Sequence, residues 1–160
     1  MLSISRPMTA GHAEHYFSRD DYYLNSQGTW QGRAAKVLGV TGPVQREHFR
    51  DVAEGMHPRT GERLIAPGPG GEHRSGIDLT FSAPKSVSIL SLADNRFIAT
   101  HQKAVTRTLD YIESHYAQAR TTENGITHPV TTGKLAVAKF DHITSRELDP
   151  QLHTHCLVFN

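Results

Sequence analysis

The pattern of apolar and polar residues predicts four short strands along the chain. Residues 2–4 alternate at the N-terminus, and residues 77–82 are apolar at every second position, which predicts strands with one face in a core. On the second of these strands, Asp78 lies on the face away from the apolar side chains. Residues 134–142 and 152–159 predict two further strands, joined by an Asp-Pro turn.

A different periodicity predicts helices between the strands. From Ile98 to Tyr116, apolar residues recur at spacings of 7, 4, 3 and 4, which places them on one stripe of an amphipathic helix. Shorter helices are predicted over residues 10–17, 32–38, 44–54 and 85–92. A turn is predicted at Asn124-Gly125 and a loop at residues 67–71. Strands in two groups separated by helices favour an α+β fold, an antiparallel sheet with helices packed on one face.

Composition narrows the possible classes of protein. With 160 residues we expect one domain, and a net charge of +1 excludes a polybasic nucleic-acid tail. A lone cysteine, Cys156, cannot form an internal disulfide, and no apolar run approaches the length of about 20 residues that a membrane span needs. We therefore expect a cytoplasmic protein. Because the chain ends just after an apolar strand, residues 1–160 are interpreted as the N-terminal portion of a single larger domain.

Three of the eleven histidines form the most informative pattern. His153 and His155 are two residues apart on a predicted strand, so their imidazoles project from the same face. His142 ends the preceding strand, and an antiparallel return brings it alongside them. Three neutral imidazoles leave open positions on a metal ion, as in a catalytic site. The alternative is chance, since a histidine-rich chain often contains a His-x-His sequence.

Other side chains add chemistry, each with a simpler alternative. Asp78 can accept the second N–H of a ligand imidazole and fix its tautomer, although a carboxylate on a strand face is more often solvated. Tyr16, Tyr22 and Tyr23 lie in two aromatic pairs near the N-terminus. A phenol can act as a nucleophile when a base and a metal assist it, but aromatic residues near helix ends more often serve packing.

A resemblance to a known family connects these residues. The segment from Asp78 to Ser88, and the spacing of ten residues between His142 and His153 before Thr-His, resemble the MobF-family conjugative relaxases of the TrwC/TraI type. The aromatic pairs and the Trp30-Gln31-Gly32 segment resemble the same family in order and spacing, so the resemblance covers essentially the whole chain. It implies an α+β palm of the HUH endonuclease fold.

The resemblance also implies a role for each matching residue. Tyr16 matches the tyrosine that attacks the scissile phosphodiester at the origin of transfer, forming a 5′-phosphotyrosine link. Tyr22 matches a tyrosine of the later strand-transfer step. Asp78 matches an acidic residue that orients a ligand histidine or helps to deprotonate the nucleophile. The implied metal ligands are His142, His153 and His155.

The implied partners follow from the same resemblance. They are single-stranded DNA at an origin of transfer, accessory relaxosome proteins and a coupling protein. The implied cofactor is a divalent cation, with magnesium, manganese and zinc left open. Tyr23, Arg74 and Lys85 are candidate DNA contacts, although basic residues are more often simply solvated.

Two departures from the family pattern are evident, and several alternatives stay open. Phe17 stands where the family usually has a second tyrosine, and no Walker A motif occurs, so we expect no helicase domain in this chain. The alternatives are a non-catalytic remnant that binds DNA or metal, a rolling-circle replication initiator, and a small metallohydrolase. A replication initiator would carry its nucleophilic tyrosine after the metal-binding histidines, whereas here the tyrosines precede the histidines. A metallohydrolase would give the tyrosines no role.

Overall fold

The structure is a computed structural model that describes residues 1–9, 11, 28–65 and 73–160. Within these residues the strands are β1 (Leu2–Ile4), β2 (Met8–Thr9), β3 (Thr29–Gln31), β4 (Arg74–Ser82), β5 (Gln118–Glu123), β6 (Ile126–Thr131), β7 (Ala136–Thr144) and β8 (Pro150–Phe159). The helices are α1 (Arg33–Val37), α2 (Arg46–Ala53), α3 (Lys85–Leu90) and α4 (Asn95–Tyr116). None of these helices is long and apolar enough to cross a membrane.

The main sheet is antiparallel and has β8 at its centre. Its order is β1-β4-β8-β7-β3, and β2 pairs with the other end of β4. Strands β5 and β6 pair with each other as a separate two-stranded ribbon. The predicted α+β fold with an antiparallel sheet is confirmed.

Helices cover both faces of the sheet, which differs from the expected one-sided arrangement. On one face, Phe49 of α2 packs with Phe140 of β7 and Leu157 of β8. On the other face, Leu109 of α4 packs with Cys156. The reason is that β8 is apolar at successive positions near its C-terminal end, so neither face can be left in water.

This two-sided packing also changes the environment of Asp78. The predicted alternation is present, with Leu79 in the α4-side core and Asp78 on the opposite face. That face is itself covered, and Asp78 is only 3% exposed. A carboxylate buried to this degree needs polar partners, which the site described below supplies.

Local signals explain where several elements begin and turn. Helix α4 begins at Asn95, three residues before the predicted apolar stripe, because the Asp94 side chain accepts the backbone N–H of Arg96 at 2.9 Å. Of the ribbon, only the turn at Asn124-Gly125 was predicted, and its two strands were not. Asn124 and Gly125 have φ of 52° and 78°, the positive values that a type I′ two-residue hairpin turn requires. The predicted helix at residues 10–17, apart from Gly11, and the predicted loop at residues 67–71 lie outside the described residues.

Candidate metal centre

Strand pairing brings the three predicted histidines together on one face of the sheet. His142 of β7 lies directly opposite His153 of β8, and His155 lies opposite Phe140 on one side and Thr80 on the other. Directly opposed residues in an antiparallel pair project from the same face. The three imidazoles therefore share the face that also carries Asp78.

The spacing of the rings suits a shared ion. Ring centroids are 5.1 Å apart for His142 and His153, 5.2 Å for His153 and His155, and 5.8 Å for His142 and His155. With metal–nitrogen bonds of about 2 Å, imidazoles on one ion have centroids about 5 Å apart. As the side chains stand, no three His, Cys, Asp or Glu groups in the described ranges are placed to hold one metal ion, so the imidazoles would have to move for all three to bind the same ion.

Hydrogen bonds orient two of the rings. The carboxylate Oδ2 of Asp78 lies 2.7 Å from Nδ1 of His155, and the Thr80 hydroxyl lies 3.2 Å from the same nitrogen. His153 Nδ1 lies 2.8 Å from the carbonyl oxygen of Gln151. When each Nδ1 donates to its oxygen, each Nε2 carries the lone pair that a metal needs.

Burial keeps two of the imidazoles neutral. His142 and His153 are 7% and 5% exposed. Desolvation, with smaller effects from His153 and His155, lowers the pKa of His142 to about 4 against a weak opposing effect of Asp141. Desolvation likewise lowers the pKa of His153, opposed mainly by its bond to the Gln151 carbonyl. Near pH 7 these rings have no proton to lose before they bind a metal, so the donor set fits a divalent cation.

Two polar residues beside Asp78 were not singled out from the sequence. Thr80 donates to Asp78 Oδ2 at 3.4 Å, and the hydroxyl of Ser5 in the segment after β1 accepts the backbone N–H of Asp78 at 2.9 Å. Thr80 could have been found from the period of two, because it lies two residues after Asp78 and faces the same way. Ser5 could not, since its contact depends on how distant segments pair.

The remaining predicted site residues are distributed differently. Tyr16, Tyr22 and Tyr23 lie outside the described residues. Lys85 follows β4 at the end nearest the histidines, and its Nζ donates to the Pro150 carbonyl at 3.1 Å. Arg74 begins β4 eight residues before Ser82, which pairs with His153, and this corresponds to about 26 Å along the strand. The structure does not bring Arg74 to the histidine cluster.

Comparison with known proteins identifies the family. A model of the family described as TrwC relaxase matches residues 10–160. The chain belongs to the TrwC relaxase family. This agrees with the resemblance found in the sequence, and the match includes all three tyrosines and all three histidines considered above.

Curated and solved relatives of this relaxase chain agree with that membership. It is 41% identical over 165 aligned positions to the multifunctional conjugation protein TraI of Escherichia coli K12. It is also similar to the conjugative relaxase TrwC in complex with OriT DNA, in a metal-free structure with TM-score 0.86 and 41% identity, and in a copper-bound one with TM-score 0.84 and 42% identity. The matches cover the whole chain, but only 9% of TraI and 56% and 57% of the TrwC chains.

Proposed function

We propose that this chain is the N-terminal part of a relaxase domain, which cuts and rejoins single-stranded DNA at an origin of transfer. The observation that carries the proposal is the cluster of His142, His153 and His155, with the buried Asp78 hydrogen-bonded to His155, in a chain of the TrwC relaxase family. Two solved relatives that support it are complexes with OriT DNA. Conjugation in the bacterial cytoplasm, with relaxosome and coupling proteins as partners, belongs to the same proposal.

The proposed reaction exchanges one phosphodiester for another. The phenol oxygen of Tyr16 forms a bond to phosphorus, the bond from phosphorus to the 3′ oxygen breaks, and the phenol proton ends on the released 3′-hydroxyl. The 5′-phosphotyrosine keeps the energy of the broken bond, so rejoining needs no nucleotide cofactor. Tyr22 is proposed for the later strand transfer.

The histidine cluster is proposed to hold a divalent cation, whose identity stays open among magnesium, manganese and zinc. When bound, the cation supplies positive charge that stabilises the developing negative charge on the phosphate. Its ligands would be Nε2 of His153, Nε2 of His155 and a ring nitrogen of His142. A copper-bound relative supports this part of the proposal.

Asp78 is proposed as an orienting residue rather than a base toward Tyr16. Its Oδ2 already lies 2.7 Å from His155 Nδ1 and accepts from Thr80. A carboxylate in that position fixes the ring tautomer and raises the basicity of the ligand nitrogen. The described contacts thus favour one of the two roles that the family resemblance implies.

Contacts to the DNA are proposed at three further residues. Lys85 lies at the histidine end of the sheet, where its ammonium group can exchange the Pro150 carbonyl for a phosphate near the scissile bond. Arg74 can only meet a more distant part of the strand, because it begins β4 at the other end. Tyr23 is the third residue that we propose to contact the DNA.

A covalent capture assay tests the proposal. The purified chain is mixed with an end-labelled single-stranded oligonucleotide of the cognate origin and Mn²⁺ or Mg²⁺, and adducts are separated on a denaturing gel. We expect an adduct that is lost in Tyr16→Phe and on adding a chelator. The matched control is Tyr111→Phe, which removes the hydroxyl of an exposed tyrosine on α4 and should leave the adduct unchanged.

Absence of the adduct would favour the alternative that the chain is a non-catalytic remnant. If wild-type protein that is folded and metal-loaded forms no adduct but still binds the oligonucleotide, the chain binds DNA without cutting it. An adduct that persists in Tyr16→Phe would instead reassign the nucleophile.

A further inference from the structure

A polar network lies directly behind the histidine cluster, on the opposite face of the sheet. Asp141 and Thr154 face each other across β7 and β8, next to the pair formed by His142 and His153. The Thr154 hydroxyl donates to Asp141 Oδ1 at 2.5 Å. Thr154 is only 1% exposed, so this bond is shielded from competing water.

Helix α4 holds both members of this pair. The Thr154 proton is donated to Asp141, so the hydroxyl oxygen accepts from Nε2–H of His101, 3.0 Å away. The side-chain amide of Gln102 donates to Asp141 Oδ2 at 2.9 Å. The side chains of Thr154 and Asp141 are therefore each bonded to one of two consecutive residues in the N-terminal half of α4.

The position of the network matters because the strand pairing becomes irregular next to it. Regular pairing between β7 and β8 runs as far as His142 and His153, and the register shifts between His142 and Thr144. A slip of one residue would turn His142 to the opposite face and away from the other imidazoles. The hydrogen bond between Asp141 and Thr154 joins β7 and β8 one residue pair before His142 and His153, where it opposes such a slip.

We propose that Thr154 and Asp141, held by His101 and Gln102, are positioning residues that keep His142 opposite His153 and so preorganise the metal site. This inference rests on the proposed metal centre. Asp141 and Thr154 act through the backbone of the adjacent His142 and His153, on the face of the sheet away from the imidazoles. His101 and Gln102 act by holding that pair. Loss of the network therefore changes metal affinity and ligand geometry beyond its effect on folding.

Copper binding to the purified chain tests the proposal. Affinity for Cu²⁺ is measured by titration calorimetry, and ligand geometry is measured by electron paramagnetic resonance. Thr154→Val keeps the shape of the side chain but removes both hydrogen bonds. We expect it to weaken Cu²⁺ binding about tenfold, the lower end of the range for residues that support metal ligands, and to change the spectrum. Thr154→Ser keeps the hydroxyl and should restore wild-type affinity and spectrum.

A matched control separates this role from simple attachment of the helix. Lys139, two residues before Asp141 on the same face of β7, donates from Nζ to the Thr106 hydroxyl of α4 at 3.1 Å. Thr106→Val removes a side-chain hydrogen bond between α4 and β7, the two elements that Gln102 and Asp141 also join. We expect it to lower the melting temperature without changing the Cu²⁺ affinity or spectrum.

Each outcome decides the question. Wild-type affinity and spectrum in folded Thr154→Val, or equal effects of Thr106→Val, would overturn the inference. If Thr154→Val does not fold, His101→Leu is tested in its place. We expect it to bind Cu²⁺ at least threefold more weakly than the wild type, and wild-type Cu²⁺ affinity in this variant would overturn the inference. If the wild-type chain itself does not bind Cu²⁺, the proposed metal centre fails, and with it the basis of the inference.

Discussion

Asp78 shows how a residue's role follows from its environment as well as from its type. On sequence grounds it was either a solvated carboxylate or a partner of a ligand imidazole. Its burial and its 2.7 Å contact with His155 Nδ1 favour the second role, because a buried carboxylate is costly unless it is hydrogen-bonded. Replacing the Asp78 carboxylate therefore tests whether it orients His155.

We predict that Asp78→Asn weakens metal binding by about 10- to 100-fold, because the amide is neutral and a poorer acceptor for the imidazole N–H. Zinc affinity measured by competition with a chromophoric chelator checks this. Asp110→Asn is the matched control. Asp110 is an exposed residue of α4 whose carboxylate accepts a hydrogen bond from the side-chain amide of Gln31. Equal zinc affinity in wild-type protein and Asp78→Asn would refute the orienting role.

At the scale of elements, α4 connects several parts of the fold through single side chains. Glu113, 5% exposed, accepts the backbone N–H of Arg33 at 2.6 Å and of Leu135 at 2.8 Å through Oε1. These donors lie at the first residue of α1 and immediately before β7. One buried carboxylate thus joins the C-terminal part of α4 to the entry points of two other elements.

Removing that carboxylate should destabilise the fold. We predict that Glu113→Ala lowers the free energy of unfolding by about 2–3 kcal/mol, because two backbone donors lose their acceptor. Urea unfolding of the chelator-treated protein measures the change. Glu123→Ala, at an exposed position of β5, should stay within about 0.5 kcal/mol. A Glu113→Ala effect as small as that of the control would contradict this explanation.

The positions of most longer elements were predictable from local patterns, but their exact ends, the short strands β2 and β3 and the ribbon were not. Period-two alternation located β4, a mostly apolar segment after a turn located β8, and the apolar stripe located α4. The ribbon was missed because its residues are exposed on both faces, so no apolar alternation marks it, although Asn124-Gly125 is a strong hairpin signal. The start of α4 depends on a cap at Asp94, which apolar periodicity does not reveal.

For the whole molecule, the buried histidines link stability to pH. The pKa of His142 is about 4 in the folded chain, below its usual value of 6.5, so the unfolded chain takes up the proton first as the pH falls. Its contribution to stability is therefore fully present above pH 6.5 and is lost between about 6.5 and 4. His153, whose pKa is also lowered, acts in the same direction, while Asp141 opposes the shift in both.

We predict that the metal-free chain loses stability on acidification from pH 7.5 to 4.5, and that His142→Gln loses less over the same interval. Urea midpoints measured in the presence of a chelator compare the two proteins. The same fall in the variant as in the wild type would show that other groups cause the acid sensitivity.

The sequence by itself determined which residues share a strand face. His153 and His155 project together, and Leu79 and Asp78 point to opposite faces, because side chains alternate with a period of two whatever the partner strand. It also indicated the family, because the motifs that resemble the family can be identified in the sequence without knowledge of the fold. The resemblance also implies the tyrosine roles, which the covalent capture assay tests.

Only the tertiary structure decided which faces meet and in what register. The opposition of His142 and His153, the bond from Asp78 to His155 and the network behind Thr154 all join residues from different strands or from α4. Helices cover both faces of the sheet because the two faces of β8 are each apolar enough to need burial. These features depend on long-range hydrogen bonds and packing, whose free energy is set by the assembled chain and not by any local segment.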